Sequence, residues 1–187
     1  MSFLTQYHTA KPTRIGRTQI QIFGENMRAQ FGMDNFNVDR LALKSYDIGE
    51  ESRSYAEGRR NLVLQINGTI DGQPTGVHYT SNLIGGGRES FERAMMYAHI
   101  NLHYMPRLES GEFKQDDGIM FPSIAETEDE KLVMAEAIQF AYAFLLPVAF
   151  VQQAWNAGGM ERLQMVSFLP QKYIQARCKQ LGLTPQE

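Results

Sequence analysis

The sequence predicts an α+β fold that is mostly helical and carries a small mixed or antiparallel sheet. Residues 62–66 (Leu-Val-Leu-Gln-Ile) have the length and β-branched content of a strand, and the Asn-Gly pair at 67–68 is a strong hairpin signal. Residues 90–105 place apolar side chains at helical spacing. A Thr-x-x-Glu capping box at 127–130 opens another helix. A chain of 187 residues is long enough to bury a real core.

Composition and charge narrow the class of protein. The formal net charge of -3 gives no electrostatic reason for direct contact with nucleic acid or an anionic membrane. The lone Cys178 excludes an intrachain disulfide and suits a reducing compartment. No signal peptide opens the chain, and the longest apolar run, residues 140–151, is too short to span a bilayer and contains Pro147. We therefore expect a cytoplasmic protein without a membrane segment.

Three regions are expected along the chain. Residues 1–50 form an N-terminal arm and a small helical region, in which apolar side chains recur at helical spacing between residues 16 and 31. The arm, residues 1–13, lacks periodicity and is expected to be ordered only by a partner. Residues 51–160 form the core region, and residues 161–187 form a helical tail.

The first half of the core region is expected to hold the sheet. A second turn at residues 71–72 leads to another strand, which contains His78, a plain sheet residue or a third metal ligand. The three glycines at 85–87 match neither phosphate-binding pattern and are expected to form a loop. The following helix is expected to stop at Pro106, and residues 107–131 are expected to form an irregular acidic segment.

The helix that follows the capping box carries a carboxylate in an apolar face. Glu136 lies in a stripe with Val133, Ala137 and Phe140. Because burying an unpaired carboxylate is costly, Glu136 is expected to meet a cation, a metal or hydrogen-bond donors. A further helix is expected to begin at Pro147 and to close at the Gly-Gly pair 158–159.

Two histidines four residues apart are the main functional signal. On a helix, His99 and His103 share one face, so both imidazoles can point at one metal ion. In the His-Glu-x-x-His motif of zinc peptidases, the glutamate activates the metal-bound water, and Ile100 stands at that position here. Glu136 would complete a zinc site of two histidines and one carboxylate. A hydrogen-bonded polar cluster of the same three side chains explains the residues equally well.

Three blocks of sequence together resemble a known family. Residues 93–103 read RAMMYAHINLH, residues 136–147 read EAIQFAYAFLLP, and the closing segment 165–183 contains MVS and ends in LGL. These blocks are similar to the R-F-T-x-A-H-E-L-G-H, E-A-N-x-F-A-A-x-L-L-M-P and closing V-S…L-G-L patterns of the ImmA/IrrE-type, gluzincin-like metallopeptidases. The resemblance covers about residues 25–183, and its second block is the most specific.

The resemblance implies a zincin-like core in which His99, His103 and Glu136 bind Zn²⁺. It also implies that the general base is missing, because Ile100 stands where the family has its catalytic glutamate and cannot accept a proton from metal-bound water. We therefore expect no catalytic residue in this chain. Further departures from the family pattern are Asn101 and Leu102 in place of Leu-Gly, and Ile138 in place of Asn.

The expected function is that of a pseudo-peptidase that binds a protein partner without cleaving it. The resemblance suggests the setting, since such proteins are often encoded on phages or mobile elements beside a helix-turn-helix repressor, or in toxin–antitoxin-like pairs, and active members cleave that repressor. One alternative is an active zinc metallopeptidase that cleaves a helix-turn-helix repressor. Its replacement base would be another carboxylate from the acidic segment, which contains Glu126, Glu128, Glu130 and the Asp116-Asp117 pair. Another is a DNA-binding regulator that uses the amino-terminal helices and the basic residues Arg162, Lys172, Arg177 and Lys179.

Overall fold

The computed structural model describes residues 6–32, 38–53, 62–81 and 88–183. Within these ranges the protein has an α+β fold, as the sequence predicts, with a mixed five-stranded sheet and helices that share one hydrophobic core. The glycine run at 85–87 and the last four residues of the expected tail lie outside the described residues.

The described strands form one sheet in the order β1-β5-β3-β4-β2. The two outer pairs of strands are parallel, and the two inner pairs are antiparallel. The strands are β1 (Tyr7–Thr9), β2 (Asp47–Arg53), β3 (Leu62–Ile70), β4 (Gln73–Ser81) and β5 (Gly118–Pro122).

The turn predicted at Asp71-Gly72 is confirmed as the hairpin turn, and the prediction of a turn at Asn67-Gly68 is wrong. Asp71 and Gly72 both have positive φ angles, 51° and 77°, as a tight two-residue turn between right-twisted strands requires. Gly68 instead lies inside β3, where the register with β4 shifts. Its φ of 107° and the close approach of the Gln115 carbonyl, 2.6 Å from where a Cβ would lie, explain the glycine.

Three strands come from segments whose sequence did not predict them. β5 runs through the expected irregular acidic segment, where a short apolar run, Ile119 to Phe121, forms an inner strand between acidic flanks. β1 comes from the expected arm and pairs with β5, so residues 7–9 are ordered by the chain itself. β2 (Asp47–Arg53) is an acidic outer strand without hydrophobic alternation.

The helices follow the predicted apolar patterns closely, with one exception described in the next paragraph. They are α1 (Arg17–Ala29), α2 (Val38–Lys44), α3 (Arg88–Ala98), α4 (Met105–Glu109), α5 (Glu128–Leu145), α6 (Val148–Ser167) and α7 (Gln171–Gln180). The predicted capping box opens α5, since the Thr127 hydroxyl accepts from the Glu130 amide and the Glu130 carboxylate accepts from the Thr127 amide. The predicted closure at Gly158-Gly159 is confirmed as a break in helical dihedral angles within α6.

The helix that carries the two histidines does not stop at Pro106. Between α3 and α4 the chain forms a π-helical segment, His99–Tyr104, and Pro106 lies in the first turn of α4. In this wider helix the Met105 amide donates to the Ile100 carbonyl five residues earlier. Proline is tolerated at this position because the amide that it lacks belongs to a first turn.

Helices α1, α3 and α5 pack together and fix the π segment. Gly24 of α1 lies against α5, where a Cβ would come within 2.9 Å of the Ala143 Cβ. Tyr97 of α3 contacts the rings of Phe140 and Phe144 in α5. These contacts hold the buried face of α5 against the histidine helix.

Among the described residues, no single helix is both long and apolar enough to cross a membrane. Helices α5 and α6, which meet at a bend of 55°, satisfy the length and composition test only when taken as a pair.

Candidate functional site

The structure brings the three predicted ligands into one chain of contacts. His99 and His103 begin and nearly end the π segment, and their Nδ1 atoms lie 3.3 Å apart. On its other edge, the His103 ring places Nε2 2.8 Å from Oε2 of Glu136 in α5. We call these three side chains the His–Glu relay.

The relay is buried. The exposed fraction is 1% for His99, 0% for His103 and 8% for Glu136. The His99 ring stacks on Phe121 of β5, with 4.2 Å between the ring centroids and 26° between the planes. The sheet and two helices therefore enclose most of the relay.

The N-terminal segment satisfies the rest of the Glu136 carboxylate. Oε1 accepts from the Thr13 hydroxyl and the Arg14 amide, each at 2.9 Å, and Oε2 accepts from the Thr13 amide at 2.9 Å. Arg14 has a φ of 59°, and this local left-handed turn aims two successive amides at one anion, as in a backbone nest. With His103, four donors fill the acceptor positions of the carboxylate.

These contacts set the charge states of the relay. Burial alone would raise the pKa of Glu136, but hydrogen bonds from His103 and Thr13 outweigh it and lower that pKa. Burial lowers the pKa of His103, against the opposing effect of Glu136. Burial, reinforced by the neighbouring His103, holds the pKa of His99 well below its ordinary value. At neutral pH the relay therefore consists of two neutral imidazoles and one carboxylate.

The same contacts assign the imidazole tautomers. A carboxylate only accepts, so His103 Nε2–H donates to Glu136, and Nδ1 of the neutral ring is then an acceptor. His99 Nδ1–H donates to that acceptor, which leaves Nε2 of His99 with a lone pair. This Nε2 is buried and has no hydrogen-bond partner among the described residues.

The relay, as arranged, does not fit a three-ligand zinc site. The two nitrogens of His103 face in different directions, one towards His99 and the other towards Glu136, so the three donors do not converge on a common point. The acceptor positions of the Glu136 carboxylate are also filled. In the described parts of the chain, no group of three His, Cys, Asp or Glu side chains is arranged to hold a metal ion.

The residues that depart from the family pattern are integrated into the structure. Ile100, at the general-base position, is fully buried in the hydrophobic core. Asn101 accepts a hydrogen bond from the Tyr46 hydroxyl at 2.8 Å and donates to the Tyr97 carbonyl at 2.8 Å. Leu102 is buried as well. The π segment is thus packed around side chains other than those of a metallopeptidase motif.

No protein-family model matches this chain, and no curated protein matches its sequence. The ImmA/IrrE resemblance therefore stays an interpretation of the sequence blocks, and the chemistry of the site is argued from its own geometry.

Several carboxylates that were candidates for a replacement base have other partners. Asp117 accepts from the Lys114 amide at 2.9 Å and lies 3.3 Å from His8. Glu130 caps α5, and Glu128 pairs with Lys131. Each of the three carboxylates thus has a cation or a backbone amide as its partner.

His78 belongs to a separate cluster and is not placed as a ligand with His99 and His103. Its Nδ1 lies 3.5 Å from Glu50, whose carboxylate also accepts from Arg93 Nε at 2.7 Å. The Arg93 guanidinium donates as well to Asp39 and Glu89, and so ties α2, β2 and α3 together. This buried arginine positions the helix from which the π segment continues.

Sequence reasoning missed Thr13, Arg14 and Phe121 as parts of the site. Thr13 and Arg14 contact Glu136 across more than 120 residues of chain, and no local sequence pattern predicts such a contact. Only the expectation that Glu136 needs donors pointed in that direction. The apolar run that contains Phe121 was the one signal for β5.

Proposed function

We propose that this chain is a non-catalytic protein of the ImmA/IrrE type that binds a segment of a partner protein, such as a helix-turn-helix repressor, without cleaving it. The observation that carries the proposal is the Glu136 carboxylate, whose acceptor positions are filled by His103, Thr13 and Arg14. Peptide hydrolysis needs a general base within reach of an attacking water. Ile100 supplies none, and Glu136 is already committed to other donors.

The burial of Arg177 weakens the DNA-binding alternative, whereas Arg162, Lys172 and Lys179, the other basic residues of that set, are exposed. Arg177, one of the basic side chains that a DNA-binding surface would need, is 1% exposed. Its Nε donates to the Leu146 carbonyl at 2.9 Å, and its guanidinium lies 3.4 Å from Glu25. A guanidinium enclosed in this way joins α7 to α1 and is not presented to a phosphate backbone.

Zinc enters the proposal only as a competitor of the N-terminal segment. Neutral imidazoles such as those of His99 and His103 are suitable zinc ligands, and Nε2 of His99 has an unused lone pair. Glu136 would join them only after losing its bonds to Thr13 and Arg14. Zinc would supply Lewis-acid chemistry, but the chain would still lack a base at position 100.

The test is incubation of the purified chain with a helix-turn-helix repressor encoded on the same genetic element, with and without added zinc. We expect a complex by calorimetry or size-exclusion chromatography and an intact repressor by mass spectrometry. The expected result is the same for the His99→Ala variant if that variant retains its fold, because cleavage is not part of the function.

Two outcomes contradict the proposal. One is zinc-dependent cleavage of the repressor that disappears in His99→Ala and persists in the matched control His78→Ala, which alters a buried histidine outside the relay. The other is the absence of any complex with the repressor. Circular dichroism of each variant verifies that the fold is retained.

A further inference from the structure

The N-terminal segment, residues 6–16, lies across the molecule as an extended strap. Its strand β1 pairs in parallel with β5 through three residues, and the Gly118 amide donates to the Gln6 carbonyl at 2.8 Å. Gly118 makes this close approach possible, because a Cβ there would come within 2.7 Å of the Tyr7 ring. Beyond β1 the strap buries Ala10 in the core and reaches Glu136 through Thr13.

Three basic side chains of the strap each face a carboxylate. His8 lies 3.3 Å from Asp117 and stacks on Phe113, with 4.4 Å between the ring centroids. The partners of Lys11 and Arg14 are Glu112 and Asp129, each at 3.6 Å.

The surface under the strap thus carries carboxylates from different elements, together with Arg107, which donates to the Lys11 carbonyl and to Glu112, each at 2.9 Å. Asp117 and Glu112 belong to the segment between α4 and β5, whereas Asp129 and Glu136 belong to α5. Part of the acidic segment that the sequence left without a role therefore forms a surface complementary to an extended basic peptide.

The strap is held by contacts that another segment can replace. The pairs made by Lys11 and Arg14 are largely exposed, and exposed ion pairs contribute little to stability. β1 is only three residues long, and strand pairing at a sheet edge is a common way to bind an extended peptide. Arg14 also holds a left-handed conformation that is unfavourable for a side chain other than glycine, and release of the strap would relieve it.

We propose that the β5 edge and the carboxylates beside it form a docking surface for an extended basic segment of a partner protein, and that the strap occupies this surface until the partner displaces it. The inference rests on the proposed function and adds to it the place of binding and the chemistry of the ligand. The strap itself shows what fits: basic side chains three residues apart and a threonine whose amide and hydroxyl reach Glu136.

The test uses a labelled synthetic peptide with the sequence of residues 6–16, added to the full chain and followed by fluorescence anisotropy. In the wild type the peptide competes with a tethered strap at high effective concentration, so its apparent affinity is low. In the double variant His8→Ala, Thr13→Val the strap is weakened and the β5 surface is unchanged. We expect the variant to bind the peptide about tenfold more tightly or better, since each lost contact involves a charged partner.

The controls separate displacement from non-specific attraction. Lys179→Ala, which alters an exposed basic side chain on α7, is expected to leave the affinity at the wild-type value. A peptide with His8→Glu, Lys11→Glu and Arg14→Glu is expected not to bind the double variant. A higher salt concentration is expected to weaken the binding of the peptide with the natural sequence, because its charged contacts are partly exposed.

An unchanged or reduced affinity in the double variant overturns the inference. That result is expected if the peptide pairs with the outer edge of β1, because such binding needs the strap in place. If the double variant does not fold, hydrogen exchange on the wild type decides instead. Excess peptide is then expected to speed exchange of the Tyr7–Thr9 amides, and unchanged rates overturn the inference. Such a failure leaves the proposed function standing, since the repressor experiment does not depend on where the partner binds.

Discussion

Removal of the Glu136 carboxylate distinguishes a hydrogen-bonded relay from an open metal site. In Glu136→Ala, four donors lose their acceptor: the amide and hydroxyl of Thr13, the Arg14 amide and His103 Nε2–H. A hydrogen bond to a charged group contributes about 1.5–3 kcal/mol, and such terms do not add fully. Breaking a buried charged cluster by removing one member costs about 3–5 kcal/mol, which we expect here.

The assay is urea denaturation of the metal-free chain, followed by circular dichroism, together with hydrogen exchange at the strap amides. Glu128→Ala is the matched control, because it removes an exposed carboxylate from the same helix and should cost less than about 0.5 kcal/mol. In Glu136→Ala the Thr13 and Arg14 amides should also exchange faster. A loss below about 1 kcal/mol, or a gain in stability, would refute the reasoning. That result is what a metal-free site with an unpaired carboxylate would give.

Three further predictions concern other parts of the molecule. Ile100→Glu, the change that restores the peptidase motif, should lower the free energy of unfolding in urea by about 3–5 kcal/mol, because the position is fully buried in the core. The variant should not cleave the repressor, and cleavage by a stable variant would contradict this. Burial lowers the pKa of His78 despite the opposing effect of Glu50, so below a pH of about 6.5 the unfolded chain takes up a proton that the folded chain does not. The wild type should therefore lose more stability on acidification than His78→Gln, and equal losses would be inconsistent with this reasoning. Gly24→Ala should lower the free energy of unfolding by about 1–3 kcal/mol, because its Cβ would lie 2.9 Å from α5. Gly49→Ala, with its nearest contact at 3.8 Å, should lower it much less. Equal melting temperatures of the two variants would count against the packing argument.

The parts of the fold that the sequence predicted are those with strong local signals. The capping box at Thr127 and the apolar stripe of α5 depend on spacing within a few residues, and both appear as expected. The sequence predicted turns at both Asn67-Gly68 and Asp71-Gly72, because both dipeptides permit positive φ, and only the second forms the hairpin turn. The contact that decided between them, the Gln115 carbonyl against Gly68, comes from a distant segment.

In the site, too, the contacts set by local spacing were predictable and those set by distant segments were not. The i, i+4 spacing placed His99 and His103 together, and the apolar stripe placed Glu136 in the core, so their meeting was predictable. The side of His103 on which Glu136 lies was not predictable, because it depends on the π-helical geometry and on the packing of α5. The strap was missed because Thr13 and Arg14 have no periodic pattern around them.

The metal content of the chain, purified without a histidine tag, tests most directly whether hydrogen bonds rather than zinc hold the relay together. With the strap closed on Glu136, we expect well under one zinc per chain by elemental analysis and no change in unfolding temperature with a chelator. About one zinc per chain, lost in His99→Ala and retained in His78→Ala, would contradict the account and restore the three-ligand site.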